Sequence, residues 1–382
     1  MALTVCVVTG TRAEYGLLRP VMRGLRDDDR FALQVVVTGA HLSPEFGSTV
    51  TGVEDDGFTV DERVEMLLSS DSPVGVTKSL GLATIGFADA FARLVPDLVL
   101  VLGDRYEILG VVQAALIARV PVVHLSGGDV TEGAIDDAIR HAVTKMSHLH
   151  LPFSQDAADR ILQMGEDPTR VVVAGNPGLD ELAAVPVPPR DEVAAALGLE
   201  LRERNLLVTY HPVTLADEPP APSFQALLDA LDDLGPDVGI ILTLPNADTD
   251  GRVLIDMTRA YAEARPNAVA HTSLGADRYQ RTLRTVDAVV GNSSSGIIEA
   301  PAVGVPTVNI GERQRGRLRG ASTIDCPPQR EAIADAIRRA LDWRDVPVGS
   351  PYGDGRATAR VLDALGAIED PRALLVKRFH TP

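Results

Sequence analysis

The chain has 382 residues, 45% hydrophobic and 23% charged, too long for one ordinary core and in keeping with two globular α/β domains. Its formal charge of −17 argues against nucleic acid or an anionic membrane as partner, while leaving room for an anionic small ligand in a locally basic pocket. No apolar run reaches the roughly 18–20 residues that span a bilayer, and the amino terminus enters a strand with no basic, cleavable leader, so a cytoplasmic protein is expected.

Leu3–Thr9 reads as an apolar strand ending in Gly10-Thr11-Arg12-Ala13-Glu14-Tyr15-Gly16, and Leu17, Leu18, Val21, Met22 and Leu25 continue at helical spacing. A strand, a glycine turn and a helix start make an anion site. The turn lacks the Gly-Lys-Ser/Thr of a phosphate-binding loop and the GxGxxG fingerprint, which leaves Arg12 as the phosphate ligand, or simply a surface arginine. Only Lys78, Lys145 and Lys377 are lysines, so arginine must do most of any anion binding. Leu33–Thr38 is the second strand, running into Gly39-Ala40-His41. Leu80–Leu94 is an amphipathic helix, and Leu98–Leu102 a strand that delivers Gly103-Asp104-Arg105-Tyr106-Glu107.

The strand Val120–His124 leads through Gly127 and Gly128 into the densest polar stretch. There Ile135, Ala138, Ile139, Ala142, Val143 and Met146 predict one apolar helix stripe, with Asp137, Arg140, His141 and Thr144 on the opposite face. A helix dipole alone accounts for Asp136 and Asp137 in the first turn. Asp129, Glu132, Asp136, Asp137, Arg140 and His141 together, just past a strand end, point to a ligand site at the carboxyl edge of a parallel sheet. Leu149–Phe153 and Val171–Ala174 are read as the last strands of this half.

A proline-rich linker at Val185–Arg190 divides an N-terminal domain, 1–184, from a C-terminal one, 185–382. In such folds a terminal helix, here near 357–368, often packs back on the first domain. The second half repeats the alternation: Leu206–Tyr210 leads into His211, Val238–Leu244 into Pro245-Asn246-Ala247-Asp248, Ala288–Val290 into Gly291-Asn292-Ser293-Ser294-Ser295-Gly296, and Thr307–Ile310 into Gly311-Glu312-Arg313. The serine turn, ahead of a helix expected from about Ile297, can wrap a pyrophosphate, with Glu299 one turn on to take ribose hydroxyls; a plain serine N-cap is the alternative. His211 is a turn histidine or a site residue, and Arg313–Arg319 a solvated or an anion-closing loop. Helices are expected over 330–343 and 357–368. The histidines lack metal-ligand spacing, and neither metal nor cofactor is expected. Two doubly wound halves facing a cleft are the predicted architecture.

The motifs GTRAEYGLLRPV, TGAHLSPEFG, GDRYE, GGDVTEGAIDDAIRHAVTKMSHLH, GNPGLD, YHPVT, PNAD and GNSSSGIIEA, in this order, resemble the hydrolysing UDP-N-acetylglucosamine 2-epimerases of sialic- and nonulosonic-acid synthesis, from about Val5 to Cys326. The resemblance implies a glycosyltransferase-B type fold, a UDP-sugar substrate, no cofactor and a homodimer. By that likeness Ser293, Ser294 and Gly296 hold the pyrophosphate with Arg12 and His211, and Glu299 the ribose. Asp104, Arg105, Asp136 and Asp137 face the sugar, lined by His41 and His124; Asn246 and Arg313 are further substrate contacts.

The implied chemistry eliminates UDP across C1–C2 to a 2-acetamidoglycal, then adds water with inversion at C2. It needs groups that take and return a proton, and works best with carboxyls tuned toward neutrality by neighbouring charge. Asp104 and Asp136 are the expected proton-transfer groups, with Asp137 supporting. Many family members carry glutamate where this chain has Ser126, which leaves Asp129 or Glu132 to take that duty, or points to a different sugar. Competing expectations are a glycosyltransferase on the same fold, a non-hydrolysing epimerase that returns the nucleotide sugar, and a silent nucleotide-sugar binder.

Overall fold

The structure, a computed structural model, describes residues 2–70, 72–131, 135–212, 219–245 and 251–381. It divides into two compact units, one formed by Met1–Asp180 with Gly355–Pro382, the other by Glu181–Asp354.

In the first unit the order is β1 (Leu3–Thr9), α1 (Arg12–Asp27), β2 (Phe31–Thr38), α2 (Val50–Asp55), β3 (Glu62–Val64), α3 (Pro73–Leu94), β4 (Leu98–Leu102), α4 (Tyr106–Ala118), β5 (Val122–Leu125), α5 (Ile135–Met146), β6 (Leu149–Leu151) and α6 (Gln155–Gln163). The helix α7 (Gly178–Ala184) crosses to the second unit, which holds α8 (Arg190–Leu197), β7 (Arg204–Thr209), α9 (Pro220–Asp232), β8 (Val238–Thr243), α10 (Gly251–Glu263), β9 (Ala268–His271), α11 (Gly275–Leu283), β10 (Ala288–Gly291), α12 (Ser294–Ala302), β11 (Thr307–Ile310), β12 (Thr323–Cys326) and α13 (Arg330–Asp342). The last helix, α14 (Ala357–Gly366), belongs to the first unit, where Leu362 and Thr358 press on Gly24 of α1.

Both sheets are six-stranded and parallel, ordered β3-β2-β1-β4-β5-β6 and β12-β11-β10-β7-β8-β9. The central strands are buried on both faces, which is why β4 reads as an unbroken apolar run and β1 and β5 are mostly apolar. On α1 the side chains of Leu18, Val21, Met22 and Leu25 are fully buried, each contributing roughly 1.5–3 kcal/mol of burial. Strand order reverses between β1 and β4 in the first sheet and between β7 and β10 in the second, and in open parallel sheets ligands bind at such reversals.

Two expectations are corrected and two strands are added. Val171–Ala174 is not a strand: Val171 makes only an isolated bridge to His150. The strands β9 and β12 lie at sheet edges, half exposed, and lack the apolar run that marks the central strands. The inward face of α5 is only partly the predicted one, for Val143 is buried and Ile139 and Met146 pack on the core as expected. Arg140, Val143 and Thr144 are buried, whereas Ile135 is 72% exposed and Ala138 and Ala142 also face solvent. Among the described residues no helix is long and apolar enough to cross a membrane.

Candidate active site

The first reversal point presents the turns that follow β1 and β4. Thr11 caps α1 and Arg12 is its first residue, exposed. The cap is a reciprocal box: Glu14 Oε2 accepts from the amides of Gly10 at 2.8 Å and Thr11 at 3.1 Å, while Thr11 Oγ1 accepts from the Glu14 amide. The signature Thr-x-x-Glu was legible in the sequence and marks Glu14 as a residue the motif reading passed over. Burial pushes Glu14 up to about 7, against the pull of the Gly10 amide.

A carboxyl raised this way favours folding below its unfolded value of about 4.5, and that contribution is lost as pH rises through about 7. Glu14→Gln keeps the acceptor and removes the charge. It is expected to be neutral at pH 5 and to stabilise the fold by about 1–3 kcal/mol at pH 8. Thermal melts of both proteins at the two pH values check this; an equal shift at both removes the charge explanation.

Asp104 follows β4, and its carboxylate pairs with Nη2 of Arg140, a guanidinium 8% exposed that also donates to Thr131 Oγ1 at 3.0 Å. The inward turn of α5 brings this about, since its polar Arg140 and Thr144 are buried beside Val143. Asp137 accepts from the Thr131 amide at 2.7 Å and lies 3.5 Å from His141. Asp136 is partly exposed in the same first turn of α5. Ser126 Oγ donates to Asp129 Oδ2 at 3.2 Å, and Ser126 itself has φ +61°, a left-handed conformation seldom taken by residues with a side chain. Glu132 and Asn246 lie outside the described residues.

Both histidines expected to line the sugar are buried and hydrogen-bonded. His41 is fully buried, its Nε2 3.0 Å from Thr9 Oγ1 and its Nδ1 2.8 Å from Thr49 Oγ1. His124 is equally buried, between the Gly103 carbonyl at 2.8 Å and Thr144 Oγ1 at 3.2 Å. Burial holds their pKa values down at about 4 and about 3, so both are neutral struts that brace strand ends, with each ring nitrogen engaged.

In the second unit α12 starts at Ser294, three residues before the expected Ile297. Ser293 is its N-cap, with Oγ accepting from the Ser295 amide at 3.4 Å. Asn292, which the motif reading did not single out, is the organiser. Its side chain clasps both backbone groups of His211, at 2.7 and 2.8 Å, and its carbonyl accepts from Arg313 at 3.1 Å and Gln314 at 2.8 Å. One buried asparagine thus fixes the ends of β7, β10 and β11 around the serine turn. Glu299, partly exposed, has its pKa raised by burial. Gly296 packs on β11: a Cβ there would stand 2.8 Å from Thr307 Cγ2, so its small size serves helix–sheet packing. A hollow of about 510 Å³ walled by Tyr210, Pro219, Ile310, Arg319, Cys326 and Pro327 opens at the same sheet edge but does not include Ser293, Ser294 or Glu299.

Comparison with known proteins decides the family. The profile described as UDP-N-acetylglucosamine 2-epimerase matches residues 23–366. The chain belongs to the UDP-N-acetylglucosamine 2-epimerase family. Within that family it is 39% identical, over 84% of its length and 83% of the relative's, to GDP/UDP-N,N'-diacetylbacillosamine 2-epimerase (hydrolyzing) of Campylobacter jejuni. It is 33% identical to UDP-N,N'-diacetylbacillosamine 2-epimerase (hydrolyzing) of Legionella pneumophila, covering 96% of this chain and 97% of that one. Among solved structures, the Neisseria meningitidis UDP-GlcNAc 2-epimerase bound to UDP-GlcNAc superposes with a TM-score of 0.75 at 18% identity, over 95% of this chain and 99% of the other. That likeness is one of fold: two Rossmann-like units of the glycosyltransferase-B type.

Proposed function

We propose that this family member is a hydrolysing 2-epimerase, converting a UDP-2-acetamido sugar to UDP and the free 2-epimer. The observation that carries the reading is the ion-paired Asp104–Arg140 couple beside Asp136 and Asp137, at the point where the order of the first sheet reverses. A base takes the C2 hydrogen as a proton while the C1–O bond breaks with its electron pair going to the departing diphosphate. Water then supplies hydroxyl to C1 and a proton to C2 from the opposite face. Asp104 and Asp136 are assigned the proton transfers, Asp137 orients, and Asp129 or Glu132 serves where Ser126 offers no acid.

On the nucleotide side, Ser293, Ser294, His211 and Arg313 of the second unit hold the UDP moiety and Glu299 takes the ribose, while in the first unit Arg12 and Arg105 are assigned to anion binding. The two relatives named for diacetylbacillosamine support a diacetamido sugar ahead of UDP-N-acetylglucosamine. NMR of the protein with each nucleotide sugar in D2O tests the assignment. Free 2-epimer deuterated at C2, with UDP, is the expected product. A returned 2-epimeric nucleotide sugar would indicate the non-hydrolysing reaction, and binding without turnover a silent binder.

We also propose a homodimer in the cytoplasm. Two unpaired thiols, Cys6 and Cys326, suit a reducing compartment. α3 and α4 pack together where Gly110 meets Ala83, and they leave Leu82, Ile85, Leu116 and Ile117 in solvent, Ile85 at 66% and Ile117 at 82% exposure. Ile85→Glu with Ile117→Glu is expected to halve the mass seen by light scattering; a monomeric wild type would end the dimer proposal.

A further inference from the structure

Beneath the turns that follow β1, β2 and β4 lie two carboxylates whose environment the reaction scheme above does not use. Glu107, in the first turn of α4, is 1% exposed, and Glu14 is 5% exposed. They are packed under the glycines that end β1 and β2. A Cβ on Gly39 would meet Glu107 Oε1 and Cγ at 3.3 Å, and one on Gly10 would meet Glu14 Oε2 at 3.3 Å and Glu107 Cβ at 3.8 Å. Gly39 also sits at φ +56°, so a side chain is doubly disfavoured there.

Each carboxylate has one committed oxygen and one without. Glu107 Oε1 accepts from Arg105, at 2.7 Å from Nη2 and 3.3 Å from Nε; Glu14 Oε2 accepts the two capping amides. Glu107 Oε2 and Glu14 Oε1 are buried with no hydrogen-bond partner among the described residues. Two orphan acceptors in one dry spot are expensive unless something supplies a donor. A proton on one carboxyl is the cheapest supply. Like charges in a shared, desolvated place do not both ionise, and the capped carboxyl, pushed up to about 7, is the one that holds it. Glu107 has one partner, Arg105, whose side chain is 43% exposed and so keeps a face toward solvent.

We propose that Glu107 is the positioning residue for Arg105: it holds one edge of the guanidinium so that the other edge meets the diphosphate of the nucleotide sugar. This rests on the nucleotide-sugar reading above. An arginine fork binds phosphate oxygens well only when its plane is fixed, and a carboxylate gripping one edge fixes it. Glu107 touches neither substrate nor reacting atoms.

The test is a double-mutant cycle on the full chain, with UDP as the probe and calorimetric binding as the measurement. Arg105→Ala is expected to weaken UDP binding by about 30-fold and Glu107→Gln by about 10-fold, while the double variant binds no more weakly than Arg105→Ala alone. Free guanidinium, at a non-denaturing concentration, should restore affinity to Arg105→Ala but not to the double variant, a readout that mere structural damage would not produce. Should Glu107→Gln fail to fold, Glu107→Asp withdraws the carboxylate by one methylene and is expected to weaken UDP in the same coupled way. Equal losses from Glu107→Gln in both backgrounds, or none in either, overturn the positioning role and leave the nucleotide-sugar reading standing. A wild type that binds no UDP overturns that reading, and this proposal with it.

Discussion

Asp104→Asn is expected to lower kcat by about 10²–10⁴-fold while leaving UDP affinity within a few-fold of wild type. The side chain leaves β4 directly after Gly103, whose φ of +82° turns the chain at the carboxyl edge of the sheet. Arg140 then fixes the carboxylate, and Thr131 fixes Arg140, so the acid sits in one orientation on rigid elements. Asparagine keeps that shape and cannot take a proton. The loss should therefore fall on the chemical step, with deuterium incorporation at C2 and UDP release declining together. Because the substitution removes the anion beside a buried guanidinium, a melt must accompany the assay, and Arg140→Lys serves as the control for lost pairing alone. A kcat within threefold of wild type in a folded Asp104→Asn protein would remove Asp104 from proton transfer.

The largest expected loss of stability lies away from the site. Glu166, 1% exposed, receives Lys145 Nζ at 2.6 Å, Lys377 Nζ at 2.8 Å and His150 Nε2 at 2.8 Å. Lys377 also donates to the carbonyls of Lys145 and Ser147, the His380 amide donates to the Gly165 carbonyl, and Arg170 donates to that of Leu374. The carboxyl-terminal segment is thereby strapped across the far ends of α5 and α6. Glu166→Ala strands two ammonium groups and a buried imidazole, a change that costs about 3–5 kcal/mol. For a unit of this size that is a fall in Tm of roughly 8–15 °C.

The pH dependence has a definite sign. Burial works against it, but the hydrogen bonds from His150, Lys145 and Lys377 hold Glu166 down at about 2. Its contribution is complete above its unfolded value of about 4.5 and is lost as pH falls from there toward 2, so the gap between wild type and Glu166→Ala should narrow only below about pH 4.5. Denaturant melts at pH 7 and pH 4 measure this. A wild-type advantage under 1 kcal/mol at pH 7 would mean that the cluster merely breaks even against its desolvation.

The central strands were legible because parallel strands buried on both faces leave continuous apolar runs, as Leu98–Leu102 does. The edge strands Ala268–His271 and Thr323–Cys326 carry no such mark, for half of each faces solvent. Polarity misled most on α5. A helix that serves a polar site turns Arg140 and Thr144 inward toward Asp104 and His124, and periodicity alone assigns those residues to water. The strand-end glycines and the serine turn were readable as breaks between strand and helix, and Thr11-x-x-Glu14 as a cap. The grip of Glu107 on Arg105 was half visible, two residues apart. Its burial with Glu14, like the clasp of Asn292 on His211, needed the sheet to bring distant turns together.

Lysine is scarce in this chain, and its placement has a practical consequence. The second unit contains none, and of the three in the first unit Lys145 and Lys377 are committed to Glu166, leaving Lys78 on α3 as the well-exposed ε-amine. An acylating dye should therefore tag the native protein at Lys78 and the α-amine. The slower appearance of label on Lys377 would then time how often the terminal strap lifts off, without any unfolding agent.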